Sequence, residues 1–231
     1  MEQLLVALDV DSRDRALALA GELRGAAGGF KVGSRLFTSE GPGLVSALAD
    51  RGDRVFLDLK FHDIPTVVAG AVRAAARLGV WMLTVHAAGG RAMMRAAADA
   101  AREAPRPPII VAVTVLTSFD EHELASTGVG RSLPAHVEAL ADLAMESGLD
   151  GIVASPREVE GLRRRLGAGP TIVTPGIRHT TPAAGGDDDQ RRTLGPAAAL
   201  TAGASYLVVG RPIIATPDPA AAARDIAQAC A

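Results

Sequence analysis

Asp58 and Lys60 set a carboxylate and an amine two residues apart at the end of an apolar, β-rich run that begins at Val55. Residues i and i+2 of a strand project from one face, so the two groups are predicted to point the same way. Pro65 then stops the strand and opens a helix, where its missing N–H costs nothing, and Asp63 is left on the connecting loop. A fixed carboxylate, an amine beside it and a second acid nearby make a charged cluster suited to catalysis at a strand end. Composition singles out the amine. Of the 24 basic residues only Lys31 and Lys60 are lysines, so the chain uses arginine wherever any cation will serve. Guanidinium does not give up its proton in a protein, whereas an ammonium can be tuned to donate one. The two retained lysines are therefore read as chemical.

The elements that position them follow a regular alternation. Leu4 to Asp9 is a first strand, Ser12 caps a helix running to Arg24, and Phe30 to Gly33 is a second strand. A helix around Gly43 to Arg51 precedes the third strand, and another from Pro65 to Leu78 follows it. Trp81 to His86 is a fourth strand with a helix from Arg91 to Arg102, and Pro108 to Leu116 a fifth, apolar throughout and so buried on both faces. A loop from Ser118 to Leu133 leads to the helix Pro134 to Ser147. Gly151 to Ala154 is a sixth strand, with a helix from Ser155-Pro156 to Leu166, and Thr171 to Thr174 a seventh. A helix up to Ala202, a strand from Ser205 to Gly210 and a helix from Pro219 close the chain. Eight such units without a break in composition predict a single-domain α/β fold, a (β/α)8 TIM barrel over residues 1–231. A doubly wound sheet would place a glycine fingerprint after its first strand, and Asp9-Val10-Asp11-Ser12 has none.

Barrel enzymes work at the C-terminal ends of their strands. Those ends carry Asp9, Lys31, Asp58 with Lys60, His86, Thr117, Arg178 and Gly210-Arg211. The lysines thus fall on adjacent strands, interleaved with acids, and not on solvated helix faces. Gly210 lets backbone amides approach an anion and Arg211 adds a planar fork; with Arg178 and Gln190 they form a candidate phosphate clamp after strands seven and eight. The polar stretch from His179 to Gln190 is of a kind that closes over ligands. Asp187-Asp188-Asp189 is read as a solvated acidic loop, since consecutive acids cannot all face one ion. His62 is expected to face away from the Asp58–Lys60 side, and no histidine spacing matches a zinc site.

A net charge of −2 and 3% aromatic residues argue against nucleic-acid binding. No apolar run is long enough to cross a bilayer, and no signal-peptide pattern opens the sequence. The lone Cys230 permits no internal disulfide, so a cytoplasmic, reducing location is expected.

Asp58-Leu59-Lys60-Phe61-His62-Asp63-Ile64-Pro65 closely resembles the Asp-x-Lys-x-x-Asp-Ile-Pro signature of the orotidine 5′-phosphate decarboxylases. Ala7-Leu8-Asp9 resembles that family's first-strand substrate contact, Lys31-Val32-Gly33 its second-strand lysine, and Thr114 to Ser118 its pyrimidine-contacting segment. Thr174 to Arg178, Gly186 to Arg191 and Val208 to Ile213 resemble its phosphate segments. One departure is Val67, where a threonine hydroxyl is usual. The resemblance implies a barrel that binds orotidine 5′-monophosphate and releases carbon dioxide without metal or organic cofactor. Lys60 would donate a proton to C6, with Asp58, Lys31 and Asp63 in the charge network. It also implies a homodimer in which Asp63 and Ile64 reach the other subunit's site, and substrate contacts from Asp9, Leu59, Phe61, His62, Pro65, Thr66, Val67 and Thr117.

The nearest rivals are the magnesium-dependent 3-keto-L-gulonate 6-phosphate decarboxylases and hexulose-6-phosphate synthases, which carry an acid where this chain has Lys31. A Schiff-base aldolase would need a neutral Lys60 between two acids. A non-catalytic phosphosugar-binding barrel would need the clamp but not the lysine–acid network.

Overall fold

The computed structural model describes residues 2–177 and 194–230. The chain opens with β1 (Leu4–Ala7), α1 (Arg13–Glu22) and β2 (Gly29–Gly33), followed by two helices, α2 (Ser34–Glu40) and α3 (Pro42–Asp50). Next come β3 (Val55–Phe61), α4 (Pro65–Arg77), β4 (Met82–His86), α5 (Gly90–Arg102) and β5 (Ile109–Val113). A short α6 (Glu121–Ser126) and α7 (Leu133–Glu146) lead to β6 (Gly151–Val153), α8 (Val159–Leu166) and β7 (Thr171–Thr174). After the undescribed stretch lie α9 (Pro196–Thr201), β8 (Tyr206–Val209), α10 (Arg211–Ile214) and α11 (Pro219–Gln228).

Each strand pairs in parallel with the next, and β8 returns to β1 with Leu4 opposite Leu207, closing the barrel. The expected (β/α)8 architecture is the one observed. Alternation along the strands divides the apolar residues into two layers. Leu5, Ala7, Phe56, Met82, Val111 and Val173 fill the inside of the barrel, while residues such as Leu4, Val6, Leu57 and Leu83 pack outward against the helices. This is the arrangement by which a barrel becomes a packed core rather than a pore. α4 shows the outer contact plainly: Val68, Val72 and Ala75 form its buried stripe, at the spacing one helix face requires. At the floor of the barrel, just before β4, Trp81 meets Tyr206 edge-on at 5.1 Å, with the Arg54 guanidinium 5.3 Å over the indole.

Three short helices were not anticipated. α2 buries only Leu36 and is cut from α3 by Gly41, whose φ of 68° is a conformation glycine adopts without strain. α6, within the expected loop from Ser118, buries only Leu124; the Asp120 side chain caps it by accepting the Glu123 N–H at 2.9 Å. α10 is a single turn after β8. None offers the repeated apolar spacing by which helices are recognised. Among the described residues, no helix is long and apolar enough to cross a membrane.

Candidate active site

The C-terminal ends of β1, β2 and β3 gather four charged side chains in an alternating chain. Lys31 Nζ lies 3.3 Å from Asp9 Oδ1 and 3.8 Å from Asp58 Oδ2. Lys60 Nζ donates to Asp58 Oδ1 at 2.9 Å. Each cation therefore touches an acid, and Asp58 is shared between the two lysines. Exposure grades along the chain: the side chains of Lys31 and Asp58 are 13% and 15% exposed, that of Lys60 37%. The two inner groups are fixed by burial, while the Lys60 ammonium reaches toward the opening.

Simple strand alternation does not place Lys60. β3 and β4 pair regularly as far as Leu57 opposite Leu83, but the next pair is Phe61 opposite Val85, so β3 spends two extra residues there. Within this bulge Lys60 has φ 53°, the one non-glycine residue with positive φ among those described. The left-handed conformation costs an L-residue about 1–2 kcal/mol, and such strain persists only where neighbours over-determine it. Thr84, fully buried in β4, is the neighbour. Its hydroxyl accepts the Lys60 backbone N–H at 2.8 Å and donates to Asp58 Oδ1 at 3.0 Å. The expected convergence of Asp58 and Lys60 is observed, but through a bulge.

His86 ends β4 beside this cluster and stacks on His62, with ring centroids 5.3 Å apart and planes at 18°. Its Nδ1 accepts the Ala88 N–H at 3.2 Å, which leaves Nε2 as the protonated nitrogen of the neutral ring. Burial, followed by the nearby His62 and Lys60 charges, pushes its pKa down to about 4. An unfolded histidine titrates near 6.5. Below that pH the unfolded chain takes up a proton that folded His86 refuses, so its contribution to stability falls between pH 6.5 and about 4 and is constant above. Wild-type protein is expected to lose about 1–2 kcal/mol more than His86→Asn between pH 7.5 and 5, allowing for the ring's partial exposure. Urea unfolding at the two pH values checks it.

The charged chain forms one wall of a cavity of about 230 Å³ at the barrel mouth, lined also by Phe56, by Thr117 after β5, by Gly210 beside Asp9, and by Arg211. Gly33 and Gly210 make room for the cluster. A Cβ on Gly33 would sit 3.0 Å from Lys31 Nζ, and one on Gly210 would sit 3.4 Å from Asp9 Oδ2. The structure thus brings together Asp9, Lys31, Asp58, Lys60, Thr117, Gly210 and Arg211. Arg178 and Gln190 lie outside the described residues, as does the stretch His179 to Gln190.

The remaining expected contacts do not line this chain's cavity. Leu59 and Phe61 pack against the outer core, on the face shared with Val55 and Leu57 and opposite Asp58 and Lys60, as strand alternation requires. His62 stacks on His86, which itself ends β4 beside the charged cluster. Asp63, Ile64, Thr66 and Val67 are exposed, and Pro65 opens α4. The Asp63 carboxylate accepts the N–H of Ile64 at 2.6 Å and takes no part in its own chain's lysine network. Sequence reasoning missed Thr84; a lone hydroxyl in the run Met82-Leu83-Thr84-Val85, on the strand after Asp58, is the signal that would have found it.

A larger cavity, about 590 Å³, opens at the opposite end of the barrel beside Trp81. Two of its charged residues, Arg73 and Glu103, already satisfy each other through hydrogen bonds of 2.6 and 2.9 Å. Barrel chemistry belongs at the other face. Among the described residues no three His, Cys, Asp or Glu side chains are grouped to hold a metal ion.

The chain is similar to known proteins over nearly its whole length. The model of the "Orotidine 5'-phosphate decarboxylase / HUMPS family" matches residues 2–226. An orotidine 5′-phosphate decarboxylase of Moorella thermoacetica is 54% identical, covering 98% of this chain and 91% of that protein. One of Chromobacterium violaceum is 51% identical over 97% and 90%. The crystal structure of orotidine 5′-phosphate decarboxylase from Lactobacillus acidophilus superposes with a TM-score of 0.87 at 35% identity, covering 98% of each chain.

Proposed function

The chain belongs to the orotidine 5′-phosphate decarboxylase / HUMPS family, and on that footing we propose that it converts orotidine 5′-monophosphate to uridine 5′-monophosphate and carbon dioxide. This is a step of de novo pyrimidine biosynthesis. The observation that carries the reading is the alternating chain Asp9–Lys31–Asp58–Lys60 at the mouth of the barrel.

Breaking the bond between C6 and its carboxylate leaves an electron pair in the plane of the pyrimidine, where the ring π-system cannot accept it. With no electron sink in the substrate, the site must stabilise that pair by charge. The Lys60 ammonium, held at the mouth by Asp58, supplies a cation beside C6 while carbon dioxide departs. It then transfers a proton from Nζ to C6, and solvent returns one to the amine. Asp58 lies near the departing carboxylate and fixes Lys60; Lys31 balances the inner charge. Thr117 contacts the base and Asp9 the ribose. Gly210 and Arg211, with Arg178 and Gln190, take the phosphate, whose binding energy serves a reaction several bonds away.

The site is completed by a second copy of the chain. Asp63 lies outside its own lysine network, and beside it Ile64 and Val67 leave 63% and 49% of their surface exposed. Apolar side chains so placed next to an active-site mouth fit burial in an isologous dimer. In that dimer Asp63 and Ile64 enter the opposite site, where Asp63 extends the charge alternation past Lys60, and the exposed Thr66 and Val67 lie next to them in the chain. The single free thiol, Cys230, suits a reducing cytoplasm.

Lys31 also separates this reading from the magnesium-dependent branch of the family. An ammonium 3.3 and 3.8 Å from the two neighbouring carboxylates stands where a divalent cation would need to bind them. Turnover of orotidine monophosphate, followed as loss of its ultraviolet absorbance, is expected to be unchanged by excess chelator. Loss of activity on chelation, restored by magnesium, would overturn the reading.

A further inference from the structure

We propose that Thr84 is a positioning residue for the reaction, acting through Lys60. The inference builds on the reading of Lys60 as proton donor, and its geometry stands independently of that reading. Thr84 sits in the middle of β4 with no solvent exposure, so its hydroxyl must be satisfied by protein groups. The direction of each hydrogen bond is fixed by its partner. A backbone N–H can only donate, so the hydroxyl accepts from Lys60 at 2.8 Å; a carboxylate can only accept, so the same hydroxyl donates to Asp58 Oδ1 at 3.0 Å.

Asp58 Oδ1 also receives the Lys60 ammonium at 2.9 Å. One threonine oxygen and one carboxylate oxygen therefore hold Lys60 at both ends, its backbone nitrogen and its Nζ. The clamp lies where the regular ladder has failed. Between Leu57 and Phe61 the register with β4 is lost, and the Thr84 side chain takes the Lys60 N–H that a strand neighbour would otherwise pair. Without that acceptor only the flanking pairs, Leu57 with Leu83 and Phe61 with Val85, constrain the bulge, and Lys60 between them is free to relax from φ 53° toward ordinary extended geometry. Its ammonium would then swing away from Asp58. A displacement of about 1 Å in a reacting group can cost about a hundredfold in rate, so a buried hydroxyl that touches no substrate controls the chemical step.

The test compares wild type with Thr84→Val, which keeps the branched shape and removes the hydroxyl, and Thr84→Ser, which keeps the hydroxyl. The readouts are kcat, affinity for the product uridine monophosphate, and a crystal structure of each variant. Thr84→Val is expected to lower kcat by about ten- to a hundredfold with product affinity within about threefold, because the base and phosphate contacts remain. Thr84→Ser is expected to restore kcat to within about fivefold of wild type. In the Thr84→Val crystal, Lys60 leaves the positive-φ region and the Nζ–Asp58 distance lengthens past hydrogen bonding. If Thr84→Val fails to fold, Thr84→Ala takes its place against Thr84→Ser. A hydroxyl-free variant with less than a tenfold loss of kcat, or one in which Lys60 keeps its conformation, overturns the proposal. So does a serine variant as impaired as the valine. Wild-type protein inert toward orotidine monophosphate would overturn the functional reading instead, while the crystals would still decide whether Thr84 holds Lys60.

Discussion

Replacing Lys60 with alanine is expected to lower kcat by at least about ten-thousandfold, since the ammonium serves twice. Loss of a general acid removes about a hundredfold or more, and loss of a preorganised charge at the reacting atom removes a similar factor. Affinity for uridine monophosphate should stay within about threefold, because the groups assigned to base and phosphate lie elsewhere on the mouth. The protein should also remain folded. Without Lys60, Asp58 keeps Lys31 at 3.8 Å and the Thr84 hydroxyl at 3.0 Å, so no buried carboxylate is stranded. The stability change is expected to be about 1 kcal/mol or less, as for other partly exposed pairs. Lys60→Arg separates the two duties. It keeps a positive charge but cannot give up a proton, so equal failure of the two variants identifies proton delivery as indispensable. Substantial turnover by the alanine variant, measured by product formation over hours, would remove Lys60 from the mechanism.

The second large effect is a recovery. Lys60→Ala and Asp63→Ala proteins are each expected to be nearly inactive alone. Unfolded together and refolded as a mixture, they should regain about a quarter of wild-type activity, since half the dimers are hybrids and each hybrid has one intact site. That intact site takes Lys60 from one subunit and Asp63 from the other. Among the described residues, the Asp63 carboxylate has no hydrogen-bond partner beyond the adjacent Ile64 N–H, which fits a group that serves another subunit's site. No recovery in the mixture, with hybrids shown by native mass spectrometry, would mean that each site is built from one chain.

The barrel was legible because its strands are short, mostly apolar runs and its longer helices carry spaced apolar faces, α4 and α7 with a proline at the start. The charged residues could be assigned to the mouth by counting strand ends, and Asp9, Lys31, Asp58 and Lys60 meet there. What escaped was local geometry. Val55-Phe56-Leu57-Asp58-Leu59-Lys60-Phe61 reads as an ordinary strand and contains no glycine to mark a left-handed residue, yet Lys60 adopts one. The cause lies on β4, in a hydroxyl 24 positions away, and no pattern within β3 encodes it. Leu59 and Phe61, neighbours of the lysine in sequence, pack with the outer core simply because they alternate with Asp58 and Lys60 along the strand. Short helices such as α2 and α6 escaped for a different reason: one buried side chain each gives no period to detect.

The aromatic pair at the barrel floor has a practical consequence. Trp81 is the chain's only tryptophan, and five strand residues, about 17 Å, separate it from the end of β4. Its intrinsic fluorescence is thus expected to follow the packing at the floor, where Tyr206 and Arg54 touch the indole, and to change little with events at the mouth. Emission and turnover therefore sample opposite poles of one barrel during a thermal melt. Coincident curves would show that the barrel comes apart as a unit, and an earlier loss of turnover would show the mouth loosening while the floor still holds.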